Sequence, residues 1–248
     1  MHSRFIPVLL LKDGGLYKTR RFRNETYLGD PVNTLKIFND KQVDEVVLLD
    51  IGAARTGAAP DIRMLREIAS ECFMPLAYGG GINSVDQVRE ILAVGFEKVV
   101  VNSAAWTDPA LVPSLTNRFG SSSIVGSIDV SRNWMGREKV YIRGGREPIP
   151  MSVLDWASQL EQRGVGELMI NCIDRDGEMT GYNLELIHRV ADAVSVPVIA
   201  VGGARNVDDL NTVISASGAS AAAAGAMFVF QGKHRAVLIS YPNSHDRV

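Results

Sequence analysis

The run Pro75-Leu76-Ala77-Tyr78-Gly79-Gly80-Gly81 returns later in the chain as Pro197-Val198-Ile199-Ala200-Val201-Gly202-Gly203. Each is a short apolar stretch opened by proline and closed by glycines, with no polar residue at alternate positions. A strand of that composition is buried on both faces, as strands of parallel sheets are. The two copies stand about 120 residues apart, and their surroundings repeat with them. Val46 to Asp50 corresponds to Leu168 to Cys172, and Val99 to Ser103 corresponds to Ala222 to Ala226. The repeat predicts one domain, 1-248, built of two half-barrels at about 1-120 and 121-248.

Outward from these runs the same alternation of short apolar stretch and longer helical segment continues. Strands are expected at Phe5 to Leu11, Glu45 to Ile51, Pro75 to Tyr78, Lys98 to Val101, Ser123 to Asp129, Glu167 to Ile173, Pro197 to Val201 and Ala221 to Ala224. Eight strands separated by helices predict the α/β class, as a single (β/α)8 barrel rather than an open sheet. Ser84 followed by Gln87 forms a capping-box signature, and Asn183 and Asn206 open helices in the same manner. Between Met151 and Arg163 the residues Val153, Leu154, Trp156, Ala157 and Leu160 fall on one helical face.

Composition narrows the partners. Of 248 residues, 46% are hydrophobic and 22% charged, enough apolar material for a large core. A net charge of -2 gives no general attraction for nucleic acid, so an anion site would have to be local. The apolar start, Phe5 to Leu11, is too short for a signal segment, and no run approaches the roughly 20 apolar residues of a membrane span. Cys72 and Cys172 suggest neither a disulfide framework nor a metal site, and a cytoplasmic location is expected.

The chemistry is expected where strands give way to helices. Gly79-Gly80-Gly81 and Gly202-Gly203 lie there, and bare backbone N–H groups beside a helix start can take a phosphate; tight turns needing glycine are the alternative. Asp50, Asn102, Asp129 and Asp176 also fall at or just beyond strand ends, where a carboxylate can exchange protons with a substrate or merely hold a loop. For Asp13 and Asp174 the loop role is expected. His188 sits mid-helix and reads as a surface residue, while Lys233-His234-Arg235 reads as a solvated charge run or an anion clamp. Neither a metal-ligand spacing nor a Ser-His-Asp set nor a P-loop can be assembled, so no metal or cofactor is expected.

Seven further stretches complete a pattern: Ile6-Pro7 through Lys12-Asp13-Gly14, Leu49-Asp50-Ile51, Gly79-Gly80-Gly81-Ile82, Val101-Asn102-Ser103-Ala104, Ser127-Ile128-Asp129, Asp174-Arg175-Asp176-Gly177 and Ala200-Val201-Gly202-Gly203-Ala204. Together they resemble the cyclase (HisF-type) subunit of imidazole glycerol phosphate synthase over nearly the whole chain. The resemblance implies a barrel that docks a HisH-type glutaminase at its N-terminal face, receives ammonia through its interior and acts on a substrate with two phosphates. It implies that Gly80, Gly81, Asn102 and Ser103 hold one phosphate. Asp176, Gly177, Gly202, Gly203, Gly225 and Ala226 would hold the other, with Lys18 assisting. It also implies an ammonia gate of Arg4, Glu45, Lys98 and Glu167.

The sequence departs from this family at its first catalytic carboxylate, where Val8-Leu9-Leu10-Leu11 places Leu10. Of the acid/base pair only Asp129 remains, with Asp50 as a candidate substitute. Losing one such group typically costs about 10²–10⁴-fold in rate. Two readings follow: a cyclase working on a ribulosyl bisphosphate in histidine biosynthesis, or a diverged subunit delivering ammonia to a third, sugar-amidating enzyme of surface-polysaccharide (O-antigen, lipopolysaccharide) biosynthesis. The related isomerase of histidine biosynthesis shares the repeat and phosphate sites, but Arg4 and Lys98 speak against it.

Overall fold

The computed structural model describes residues 3–232 and 234–243. Eight parallel strands form the barrel: β1 (Arg4–Lys12), β2 (Val46–Asp50), β3 (Leu76–Gly79), β4 (Lys98–Val101), β5 (Ile124–Arg132), β6 (Glu167–Cys172), β7 (Val198–Val201) and β8 (Ala221–Ala224). Each pairs with its neighbour in sequence, and β8 closes on β1 through Arg4↔Ala221 to Pro7↔Ala224. The expected (β/α)8 fold is what the chain adopts. Strand edges differ from expectation by a residue or so except in β5, which runs three residues past Asp129.

Alternation of side chains builds two cores from these strands. Ile6, Val8, Leu10, Val47, Ala77, Val100, Val125, Met169, Ile199, Val201, Ala221 and Ala223 face inward and fill the barrel. The outward residues meet the helices α1 (Pro31–Asp40), α2 (Ile62–Ser70), α3 (Val85–Ala93), α4 (Leu111–Phe119), α5 (Val153–Gln162), α6 (Leu184–Ala193) and α7 (Val207–Ser217). Their starts follow local chemistry: the side chains of Ser84, Ser152, Asn183 and Asn206 each accept the N–H three residues on. The eighth helix, α8 (Ala226–Val229), has only four residues. The chain beyond it runs back to the N-terminal face, where the Tyr241 hydroxyl donates to the Phe5 carbonyl at 2.7 Å.

Two antiparallel excursions that the sequence did not predict extend the barrel strands β1 and β5. After β1 the chain makes a hairpin of two strands, Gly15–Arg20 and Arg23–Gly29, entered through Asp13 (φ +48°) and Gly14 (φ +80°). An Asp-Gly pair with both φ positive is the two-residue turn whose twist suits a hairpin, so a signal was present. After β5, Glu138–Ile142 pairs back on the strand's extension, Asp129↔Tyr141 to Arg132↔Glu138. Among the described residues no helix is long and apolar enough to cross a membrane.

Candidate active site

At the C-terminal ends of the strands the barrel opens into a cavity of about 470 Å³. Its opposite rims are the glycines after β3 and after β7. Gly81 (φ +69°) and Gly203 (φ +116°) are in conformations that other residues rarely adopt, and a Cβ there would strike the carbonyl oxygens of Ala58 and Gly181. Sterics therefore require glycine at both rims, where other loops pack against the backbone. Gly80 and Gly202, Asn102 and Ser103 after β4, and Gly225 and Ala226 after β8 also line the cavity.

Asp129 on β5 is buried in the middle of this ring. Loss of water around it, and secondarily the charge of Asp176, push its carboxyl up to about 7. The Asn102 amide holds it in place, donating to the Ser127 carbonyl at 3.1 Å and to Asp129 Oδ2 at 3.3 Å. Ser103 is likewise engaged: its hydroxyl donates to Asn102 Oδ1 at 3.3 Å and accepts the Arg143 N–H at 2.8 Å. The polar wall thus comes from β4 to β6. The wall from β1 and β2 is apolar up to Asp50 at its end, with Val8, Leu10 and Leu49 facing the cavity. Leu10 is therefore a cavity residue, and no carboxylate of β1 answers Asp129.

Asp176 joins the cavity to the hairpin. Its Oδ2 accepts from the Thr19 hydroxyl at 2.7 Å and the Phe22 N–H at 3.4 Å, and its Oδ1 lies 3.7 Å from Lys18 Nζ. The carboxylate is thus turned to the hairpin it anchors, and Gly177 (φ +67°) beside it packs against the Thr19 carbonyl. Lys18 is buried and reaches Gly225, where a Cβ would collide with its ammonium end.

The other sequence candidates separate by position. Asp50 Oδ1 accepts the Ala53 N–H at 2.8 Å, capping a short helix, Ile51–Thr56. Burial raises its carboxyl above the usual range, opposed by the N–H groups of Ala53 and Gly52. Asp174 holds the β5 extension, accepting from the Ser131 hydroxyl and the Arg132 N–H. Asp13 is an exposed turn residue, and His188 lies on the open face of α6, 3.5 Å from Asp192. Of Lys233-His234-Arg235, Lys233 lies outside the described residues and His234 is exposed; Arg235 donates to the Gly177 carbonyl at 2.9 Å.

At the opposite end of the barrel Arg4, Glu45, Lys98 and Glu167 close a ring of alternating charge. Arg4 bonds Glu45 and Glu167 at 2.8 Å each, and Lys98 Nζ lies 3.1 Å from Glu45 and 3.2 Å from Glu167. Glu45 stands one residue before β2 rather than within it.

Arg143, Thr19 and Asn171 also line the cavity and were not singled out from the sequence. Asn171 carried a legible signal, being a lone polar residue in the apolar run of β6. Arg143 and Thr19 carried none, because the strands that bring them in were not recognised. Among the described residues no group of three or more His, Cys, Asp and Glu side chains could hold a metal ion.

Residues 4–235 match the family described as "Histidine biosynthesis protein". The chain is 48% identical over 243 residues to a protein of Pseudomonas aeruginosa named "Putative imidazole glycerol phosphate synthase subunit hisF2", covering 98% of this chain and 97% of the other. It is 42% identical to a Leptospira interrogans protein carrying the same name as subunit HisF, covering 100% and 98%. It is 38% identical over 226 residues to "Imidazole glycerol phosphate synthase subunit HisF" of Alkaliphilus metalliredigens, covering 91% and 90%.

Proposed function

The chain belongs to the histidine biosynthesis protein family as a HisF-type cyclase-subunit homologue, and from that premise we propose that it uses ammonia on a ribulosyl bisphosphate. The observation that carries this reading is the placement of Asp129, buried in a cavity between two glycine rims. In this reading Gly80, Gly81, Asn102 and Ser103 hold one phosphate, and Gly177, Gly202, Gly203 and the Gly225-Ala226 backbone hold the other. Lys18 adds charge and Asp176 fixes the hairpin that carries it.

Ammonia adds to the ribulosyl carbonyl, and the oxygen leaves as water. A carboxyl that keeps its proton near neutral pH can supply that proton and take one back from nitrogen as the imidazole ring closes. Elimination then releases imidazole glycerol phosphate and aminoimidazole carboxamide ribotide. The charged ring marks the ammonia entrance, and a glutaminase of the HisH type docks over it. With Leu10 in the wall, Asp129 works without a second acid/base group, and the reaction is slow by about 10²–10⁴-fold.

The purified protein given ammonium chloride at pH 8.5 and the bisphosphate should form imidazole glycerol phosphate slowly; no product above background would sink this reading. Leu10 favours a second one, in which the barrel passes ammonia and stimulates its glutaminase for a separate sugar-amidating enzyme. That outcome is recognised by a co-purifying glutaminase whose glutamine hydrolysis the barrel stimulates while no imidazole product forms.

A further inference from the structure

Asn171 lies on β6 in register with Asp129 of β5 on one side and Val201 of β7 on the other. Its side chain is 5% exposed and lines the cavity, yet Oδ1 is fully enclosed with no hydrogen-bond partner. Buried side-chain amides are nearly always paired, and an apolar residue here would pack at no such cost. Val201, Leu10 and Leu49 show that the same cavity accepts apolar residues. Asn171 does not position Asp129, because the Asn102 amide already does. Gly202 packs beside it, a Cβ there standing 3.3 Å from Oδ1.

An amide offers an acceptor and a donor side by side. Phosphate oxygens need only donors, which the glycine rims supply. A hydroxyl or N–H group needs the acceptor. We propose that Asn171 is a specificity-determining residue whose side-chain amide binds a hydroxyl or N–H group in the middle of a phosphorylated ligand, between the two rims. The proposal rests on reading the rims as phosphate cradles, but not on any turnover.

Calorimetric titration with ribulose 5-phosphate and with inorganic phosphate tests it. The wild type should bind the sugar phosphate more tightly than phosphate. Asn171→Leu, similar in volume and without polar atoms, should weaken ribulose 5-phosphate by about 10- to 100-fold, the loss expected when a buried polar contact goes. Its affinity for inorganic phosphate should stay within about twofold and its Tm should hold or rise, because an unpaired buried amide has been removed. Asn171→Ser, which keeps a hydroxyl, should fall between, and decides the matter should the leucine variant not fold. Equal weakening of both probes, unchanged sugar-phosphate binding in the variants, or a wild type with no preference for the sugar phosphate would each overturn the proposal. Failure of the cyclase reading is seen separately, as missing imidazole product with ammonium while the binding preference stands.

Discussion

At residue scale the site turns on Asp129 and Leu10. Asp129 holds its proton to about 7 in the folded protein, against roughly 3.9 in an unfolded chain. The folded state therefore binds the extra proton between those values, and this residue's contribution to stability falls as pH rises from 4 to 7, levelling above. Asp129→Asn removes that penalty, so urea midpoints should show the variant gaining on the wild type more at pH 8 than at pH 4. The same variant should lose whatever ammonium-dependent turnover the wild type has. Leu10→Asp should act oppositely. Placing a carboxylate in the apolar wall should raise ammonium-dependent turnover by about 10²–10⁴-fold and lower stability by a few kcal/mol, measured by product formation and thermal unfolding. An unchanged rate in a folded Leu10→Asp variant would mean that the missing carboxylate is not what limits the reaction.

At the scale of elements, the hairpin 15–29 carries Lys18 and is tied down by Asp176 and Glu178 of one loop, by the turn at Gly177, and by Arg55, which bonds Glu25 and the Phe22 carbonyl. A Cβ at Gly177 would collide with the Thr19 carbonyl, and φ there is +67°. Gly177→Ala should cost about 1–3 kcal/mol and lift the hairpin, seen as faster amide exchange confined to residues 15–29. The eight strands and their capped helices were legible because buried apolar runs and Ser or Asn caps are local signals. The hairpin was passed over although Asp13-Gly14 signals it, because Lys12-Asp13-Gly14 equally marks the end of a strand. The β5 extension could not be told from a loop: Ser131 and Arg132 are polar, and pairing with Glu138 and Lys139 alone makes them strand.

On the scale of the whole molecule, cavity and charged ring lie at opposite ends of one closed interior. The ring is partly enclosed, with the Glu45 carboxylate the most deeply buried of the four. Glu45→Gln keeps its shape and removes the charge shared by Arg4 and Lys98. It should cost about 1–3 kcal/mol in denaturant unfolding. Under the glutaminase-docking reading it should also lower glutamine-driven turnover while ammonium-driven turnover is kept; equal loss of both would argue against an entrance role.

By itself the sequence determined that this chain is an α/β barrel with glycine-rich strand ends, because two-sided burial, helix caps and glycine conformations are written in neighbouring residues. It also marked Asp129 through its place at a strand end, and Leu10 and the four ring charges through resemblance to the HisF-type subunit. Tertiary structure alone decided which of these meet. The register between β5 and β6 sets Asn171 beside Asp129, and barrel closure lets residues as far apart as Arg4 and Glu167 share one ring. The physical reason is that strand register and barrel closure depend on all eight strands at once, so no single segment encodes them.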